Sequence, residues 1–200
     1  MSGASLLEVL ATGRERGFVG PTPFEDQVAH AEGFVAALEG VVGRVVDLGS
    51  GGGLPGLVVA VRRPDLDVVL VDAVERRCTF LAEAIERLGL IRASTWHGRA
   101  EDLGRGPLRG SAGAVTARSF GPPAATAECA APLLQVGGVL VVSEPPDERE
   151  RWPGEGLALL GLEPRSTVAE PFHYRVLVQR ELCPERFPRR PGLPFRRPLF

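Results

Sequence analysis

Val45-Val46-Asp47-Leu48-Gly49-Ser50-Gly51-Gly52-Gly53-Leu54-Pro55-Gly56 is the stretch that decides the fold. Its apolar opening reads as a buried strand, and the glycines after it read as a turn that opens a helix. Glycine at 49, 51 and 53 permits positive φ and lets a ligand approach where any Cβ would collide. Pro55 suits the first turn of a helix, where its missing N–H has no partner to lose, and the free N–H groups around it favour negative charge. The expectation is a strand–turn–helix unit that holds a small anionic ligand.

Outward from this unit, strands and helices alternate. Phe24, Val28, Ala31, Val35 and Leu38 recur at helical spacing, predicting an amphipathic helix ahead of the first strand, Val41 to Leu48. The helix opened at Pro55 continues through Leu57 to Val61 and stops at Pro64; a strand follows over Val68 to Val71, and a helix runs from Glu75 to Leu88 and ends at Gly89. Further strands are expected at Ser94 to His97, Ala112 to Ala117 and Val139 to Ser143, the last entered through Gly137-Gly138, with a helix over Ala124 to Leu134. Glu144 to Gly154 reads as a loop. A short helix around Leu157 to Leu160 and strands near Ser166 to Ala169 and Tyr174 to Gln179 close the chain. Near-continuous apolar strands separated by helices imply parallel pairing, helices on both faces, and a ligand at the carboxyl ends of the strands.

The 200 residues suffice for one ordinary domain with extensions. We divide the chain into an N-terminal helical cap (1–40), a ligand-binding body (41–180) and a basic, Pro-rich tail (181–200). No apolar run approaches the roughly 20 residues that span a bilayer, and the first 20 lack a secretory pattern, so a cytoplasmic protein without a membrane partner is expected. Cys78, Cys129 and Cys183 form no C-x-x-C pair and His30, His97 and His173 are scattered, which predicts buried thiols and no metal site. The total charge is −2, yet Arg180 to Phe200 holds six arginines against Glu181 and Glu185, a net of +4 on an acidic remainder of −6. Such a tail reads either as an arm for a polyanion or as a solubilising, disordered terminus.

Gly51 to Gly56 also satisfies the dinucleotide pattern G-x-G-x-x-G, so two ligand classes compete for the turn. Asp72, ending the second strand, can accept from two ribose hydroxyls in either case. Two features favour an adenosyl sulfonium. No second substrate domain is expected, and Asp47 precedes the turn, where it can accept from the amino group that methionine carries and NAD lacks.

The run Asp47-x-Gly49-x-Gly51-x-Gly53 with Asp72 and Gly137-Gly138 resembles class I S-adenosylmethionine-dependent methyltransferases. The strings DLGSGGGLPG, RPDLDVVLVDAVERRCTFL, HGRAED, VTAR and PLLQVGGVL, with the tail RFPRRPGLP, are similar in order and spacing to the RsmG/GidB family. This resemblance implies a Rossmann-like α/β fold, a mostly parallel twisted sheet with a C-terminal antiparallel strand. It also implies S-adenosyl-L-methionine as cofactor, and methyl transfer to N7 of a guanine in 16S, small-subunit, ribosomal RNA by a monomer. Two segments depart from the family pattern. Phe18-Val19-Gly20-Pro21-Thr22 stands where members carry an Asn-Leu-Thr type segment, and Ser143-Glu144-Pro145 where they carry a lysine.

By the same resemblance Gly49 and Leu54 line the cofactor, Ala100 and Glu101 meet its adenine, and Arg118 lies close to it. Arg99, Arg118 and Arg189 are the candidates for positioning substrate. Arg99 has a second reading as an ion pair with Glu101 or Asp102, and Phe120 reads either as a stacking platform for the target base or as core. Transfer to an unprotonated N7 needs no general base, so the lack of a catalytic His or Cys constellation excludes nothing. Removing Cys183 to Phe200 is expected to weaken RNA binding and leave cofactor affinity intact. Two alternatives share the scaffold: a small-molecule methyltransferase and a catalytically silent RNA-binding assembly factor.

Overall fold

The computed structural model describes residues 4–145, 150–168 and 172–200. In chain order the elements are α1 (Leu6–Glu15), α2 (Phe24–Ala37), β1 (Arg44–Leu48), α3 (Gly56–Arg62), β2 (Asp67–Asp72), α4 (Glu75–Leu88), β3 (Ala93–His97), α5 (Ala100–Leu103), β4 (Ala112–Ala117), α6 (Pro123–Ala130), β5 (Leu134–Glu144), α7 (Gly154–Ala158), β6 (Leu162–Val168), β7 (His173–Gln179) and α8 (Leu193–Arg196). Seven strands form one sheet in the order β3-β2-β1-β4-β5-β7-β6. The first five are parallel, and β7 joins β5 and β6 antiparallel. Strand order reverses at β1, and that reversal opens a crevice at the carboxyl ends of β1, β2 and β4.

Two apolar layers cover the sheet. One gathers Val9, Phe34, Leu57, Phe80 and Tyr174 from α1 to α4 and β7. The other gathers Ala127, Leu133, Trp152 and Leu157 with Cys183 and Phe187 from the C-terminal residues. All three cysteines are buried free thiols, as expected. No helix among the described residues is long and apolar enough to cross a membrane.

Most differences from the sequence expectation are at boundaries. The helix expected over Ala124 to Leu134 ends at Ala130, passes through a 3-10 turn at Ala131–Leu133, and Leu134 already belongs to β5. Pro132 is the reason, since it offers no N–H to continue the α-helical ladder. The Gly137-Gly138 step lies inside β5, where the pairing with β4 slips between Ala112 and Ala114. Residues 146–149 of the expected loop and Ala169 of the expected strand fall outside the described residues.

Three helices had no counterpart in the sequence expectation: α1, α5 and α8. For α1 the signal was present. The Ser5 hydroxyl accepts from the Glu8 N–H at 3.3 Å and the Glu8 carboxylate accepts from the Ser5 N–H at 2.7 Å, a capping box ahead of buried Val9 and Leu10.

Candidate functional site

The glycine turn takes the backbone the sequence demanded. Gly49, Gly51 and Gly53 have φ of 68°, 55° and 93°, and a Cβ on Gly49 would stand 2.8 Å from Phe120 Cδ2. Three of its N–H groups, however, are already committed. Ser50 donates to Val71 O at 2.9 Å, Gly53 to Ser50 O at 2.7 Å, and Gly51 to Asp72 Oδ2 at 2.9 Å. These three donors are therefore not free for an anionic ligand, which narrows the first expectation. Asp47 Oδ2 lies beside Gly56 at the start of α3, where a Cβ would stand 2.7 Å from it.

Asp47 is fully buried beneath the turn, and its Oδ1 accepts from the Thr116 hydroxyl at 2.7 Å. Burial pushes its pKa up to about 6, against the hydrogen bond from Thr116, and its Oδ2 has no hydrogen-bond partner among the described residues. It shapes the turn and does not face the ligand, so direct capture of an amino group by Asp47 is withdrawn.

The cleft lies beside the turn, between the ends of β1, β2 and β3, and is lined by Gly49, Asp72, Arg99, Ala100, Glu101, Phe120 and Phe195, with Val71, Ala73 and Gly98 behind them. Asp72 is locked in place, taking the Gly51 N–H on Oδ2 and the Val74 N–H on Oδ1, both at 2.9 Å, with Arg77 Nη1 3.5 Å away. Glu101 Oε1 accepts from the Gly192 N–H at 2.7 Å and from Arg99 Nη2 at 3.1 Å. Burial alone would push the Glu101 pKa up, but these two donors and its own N–H hold it below the usual carboxylate range. The Arg99–Glu101 ion pair is the second of the two readings given for Arg99.

The cleft wall carries the carboxylates of Asp72 and Glu101, each with an arginine beside it, Arg77 and Arg99 respectively. A carboxylate fixed at the end of β2, an open approach at Gly49 and an α5 start at Ala100 fit an adenosyl sulfonium.

The remaining sequence candidates stand elsewhere. Gly51 holds Asp72, and Gly53 leaves room for Leu57, whose Cδ1 a Cβ would strike. Leu54 is core, packed with Leu10, Val19 and Val58. Arg118, just past β4, reaches toward α2 and donates through Nη2 to Gln27 Oε1 at 3.1 Å; its buried Nη1 has no partner among the described residues. Burial draws its pKa below the usual guanidinium range, and Asp47 opposes that shift.

Arg189 turns inward. Its Nη2 is 2.6 Å and its Nε 2.9 Å from the oxygens of Glu128, a side chain with no exposure. Neighbouring arginines clamp the same segment by its backbone: Arg105 donates to Pro188 O at 2.8 Å, and Arg109 to Phe187 O and Cys183 O at 2.7 Å each. The tail is thus built into the body, and Phe195 from α8 forms part of the cleft wall, 5.6 Å from the Phe120 ring centre to centre. That placement argues against the expectation that the tail could be removed without touching the cleft. Phe195, Glu128 and Gln27 were missed in the sequence. The lone acid in the run Ala124 to Ala131 was a usable signal for Glu128, since a charge inside an apolar helix requires a buried partner. Among the described residues no group of three His, Cys, Asp or Glu side chains could hold a metal ion.

Sheet order and cleft position together define the class I S-adenosylmethionine-dependent methyltransferase fold. A solved S-adenosylmethionine-dependent methyltransferase from Aquifex aeolicus superposes with a TM-score of 0.61 at 15% identity, over 84% of this chain and 97% of that one. The family model for rRNA small subunit methyltransferase G matches residues 26–150. Ribosomal RNA small subunit methyltransferase G of Deinococcus radiodurans is 32% identical over 98% of this chain and 84% of its own length. That of Pelotomaculum thermopropionicum is 37% identical over 78% and 69%. The chain belongs to the rRNA small subunit methyltransferase G family.

Proposed function

We propose that this protein is an S-adenosylmethionine-dependent methyltransferase acting on N7 of a guanine in small-subunit ribosomal RNA. The observation that carries the reading is the convergence of Gly49, Asp72, Arg99, Ala100 and Glu101, from three separate segments, on one cleft. Asp72 would take the ribose hydroxyls, the Ala100–Glu101 turn the adenine, and Gly49 would let the methionine portion pass close to the backbone. S-adenosylmethionine, when bound, supplies the methyl group. Because an unprotonated N7 would accept that methyl group without giving up a proton, the chain needs no general base, and Asp72, Ala100, Glu101 and Gly49 would hold the donor. The chain's contribution is alignment and exclusion of water.

Arg190, Arg196 and Arg197 surround a surface cleft on the tail, next to the α8 segment that carries Phe195. We assign these exposed arginines to RNA phosphates, leaving Arg189 as the anchor that holds them in place. A monomer working where small subunits are assembled completes the proposal. Incubation with methyl-labelled S-adenosylmethionine and either small-subunit RNA or assembled subunits should place label on a guanine, mapped as N7-methylguanine. Background incorporation into every form of the RNA would overturn the proposal.

A further inference from the structure

A second cavity, of about 310 Å³, opens at the carboxyl ends of β4 and β5 and shares the Phe120 ring with the cofactor cleft. A base seated there would lie against the ring that borders the cofactor. Its polar walls are Glu144, the last residue of β5, with Arg151 and His30. Arg151 Nη1 donates to Glu144 Oε2 at 3.0 Å, and the two side chains are only 32% and 13% exposed. A half-buried acid and guanidinium side by side on one cavity wall present an acceptor next to a donor. His30 is kept neutral there, since burial and then Arg118 lower its pKa to about 4, and its Nδ1 has no partner among the described residues.

We propose that this cavity takes the target guanine, and that Glu144 and Arg151 read its Watson–Crick edge. The carboxylate accepts from N1–H and the 2-amino group, and the guanidinium donates to O6. The inference rests on the guanine-N7 reading above and adds the residues that select the base. Contacts on the Watson–Crick edge leave the opposite side of the imidazole ring, with N7, free to face Phe120 and the cofactor cleft. Adenine would set its N1 lone pair against the carboxylate and its amino group against the guanidinium, so the same pair rejects it. Methylation leaves a positive charge on the guanine ring, and the adjacent carboxylate stabilises that charge as it develops.

The test uses GMP, IMP and AMP as competitors of methyl transfer to small ribosomal subunits, with cofactor affinity followed by calorimetry as a check on folding. All three nucleotides carry the same phosphate, so contacts to the tail arginines cancel in their ratios. With the unaltered protein GMP should compete about ten-fold better than IMP, which lacks only the 2-amino group, and AMP should be weakest. Glu144→Ala should lower kcat/KM for subunits about 100-fold and bring the GMP to IMP ratio near one. Arg151→Ala should weaken GMP and IMP alike and keep their ratio, because both carry O6. A GMP to IMP ratio that survives Glu144→Ala, or one that Arg151→Ala also abolishes, overturns the inference. Label on guanine N7 without a preference for GMP overturns the inference alone, whereas label on any other atom overturns the guanine-N7 reading with it.

Discussion

The glycine turn at 47–56 and the tail at 180–200 both stand out in the sequence for glycine, proline and charge, and the fold treats them oppositely. In the turn, backbone conformation is the work itself: positive φ at Gly49, Gly51 and Gly53 swings the chain past β2, and Gly51 fixes Asp72. In the tail, the arginines suggest an outward-reaching arm, yet Arg189 closes on Glu128 while Arg105 and Arg109 grip the tail carbonyls from outside it. Conformation is written in the residues that adopt it. A charge's partner is not.

The largest effect that could break this contrast is at Glu128. Glu128→Ala leaves the Arg189 guanidinium without its buried partner and should cost about 3 kcal/mol of stability, read from the urea midpoint. A loss below about 1 kcal/mol, the usual value of an exposed pair, would return the tail to the status of an appended arm.

Next comes the cofactor cleft, where both regions contribute. Asp72→Ala should weaken S-adenosylmethionine binding by about 2 kcal/mol, as for a charged hydrogen-bonding group. Truncation after Pro191, which removes the Gly192 donor and Phe195, should weaken it about ten-fold. Calorimetry on both variants sharpens the comparison, since unchanged affinity in the truncated chain would mean that only the turn serves the cofactor.

The smallest effect is a pH dependence. Asp47 titrates in the fold near 6, above its ordinary 3.8, so its contribution to stability is complete below 3.8 and declines as pH rises through 6. His30 titrates near 4, below its ordinary 6.5, so its contribution is complete above 6.5 and is lost as pH falls through 4. Across this window the two oppose each other. Asp47→Asn, which keeps an acceptor for Thr116, should remove one side and make the variant lose stability more steeply than the unaltered chain between pH 6.5 and 4. Parallel unfolding profiles would show that the buried Asp47 carboxylate carries no penalty.

Much of the fold was legible because apolar periodicity reports burial directly. The helix at Glu75–Leu88 and the strand at Ala112–Ala117 fall where the pattern put them. Among the proposed site residues, Gly49, Asp72, Arg99, Ala100 and Glu101 meet in one cleft, since each follows the carboxyl end of a strand in a parallel sheet. Asp47, Leu54, Arg118 and Arg189 also sit near strand ends or in basic motifs, but neighbours distant in the chain turn them elsewhere. Their direction was not in the local pattern.

By itself the sequence determined the alternation of strands and helices, the conformation of the glycine turn and the family to which the chain is similar, because torsional freedom and apolar spacing act over a few residues. Only the tertiary structure decided that the Ser50 and Gly51 N–H groups are spent on β2, that Glu128 pins the tail, and that Phe195 walls the cofactor cleft. Those outcomes depend on which groups meet from different segments of chain, as Gly51 and Asp72 do at a separation of 21 and Glu128 and Arg189 at 61, and no local rule carries that information.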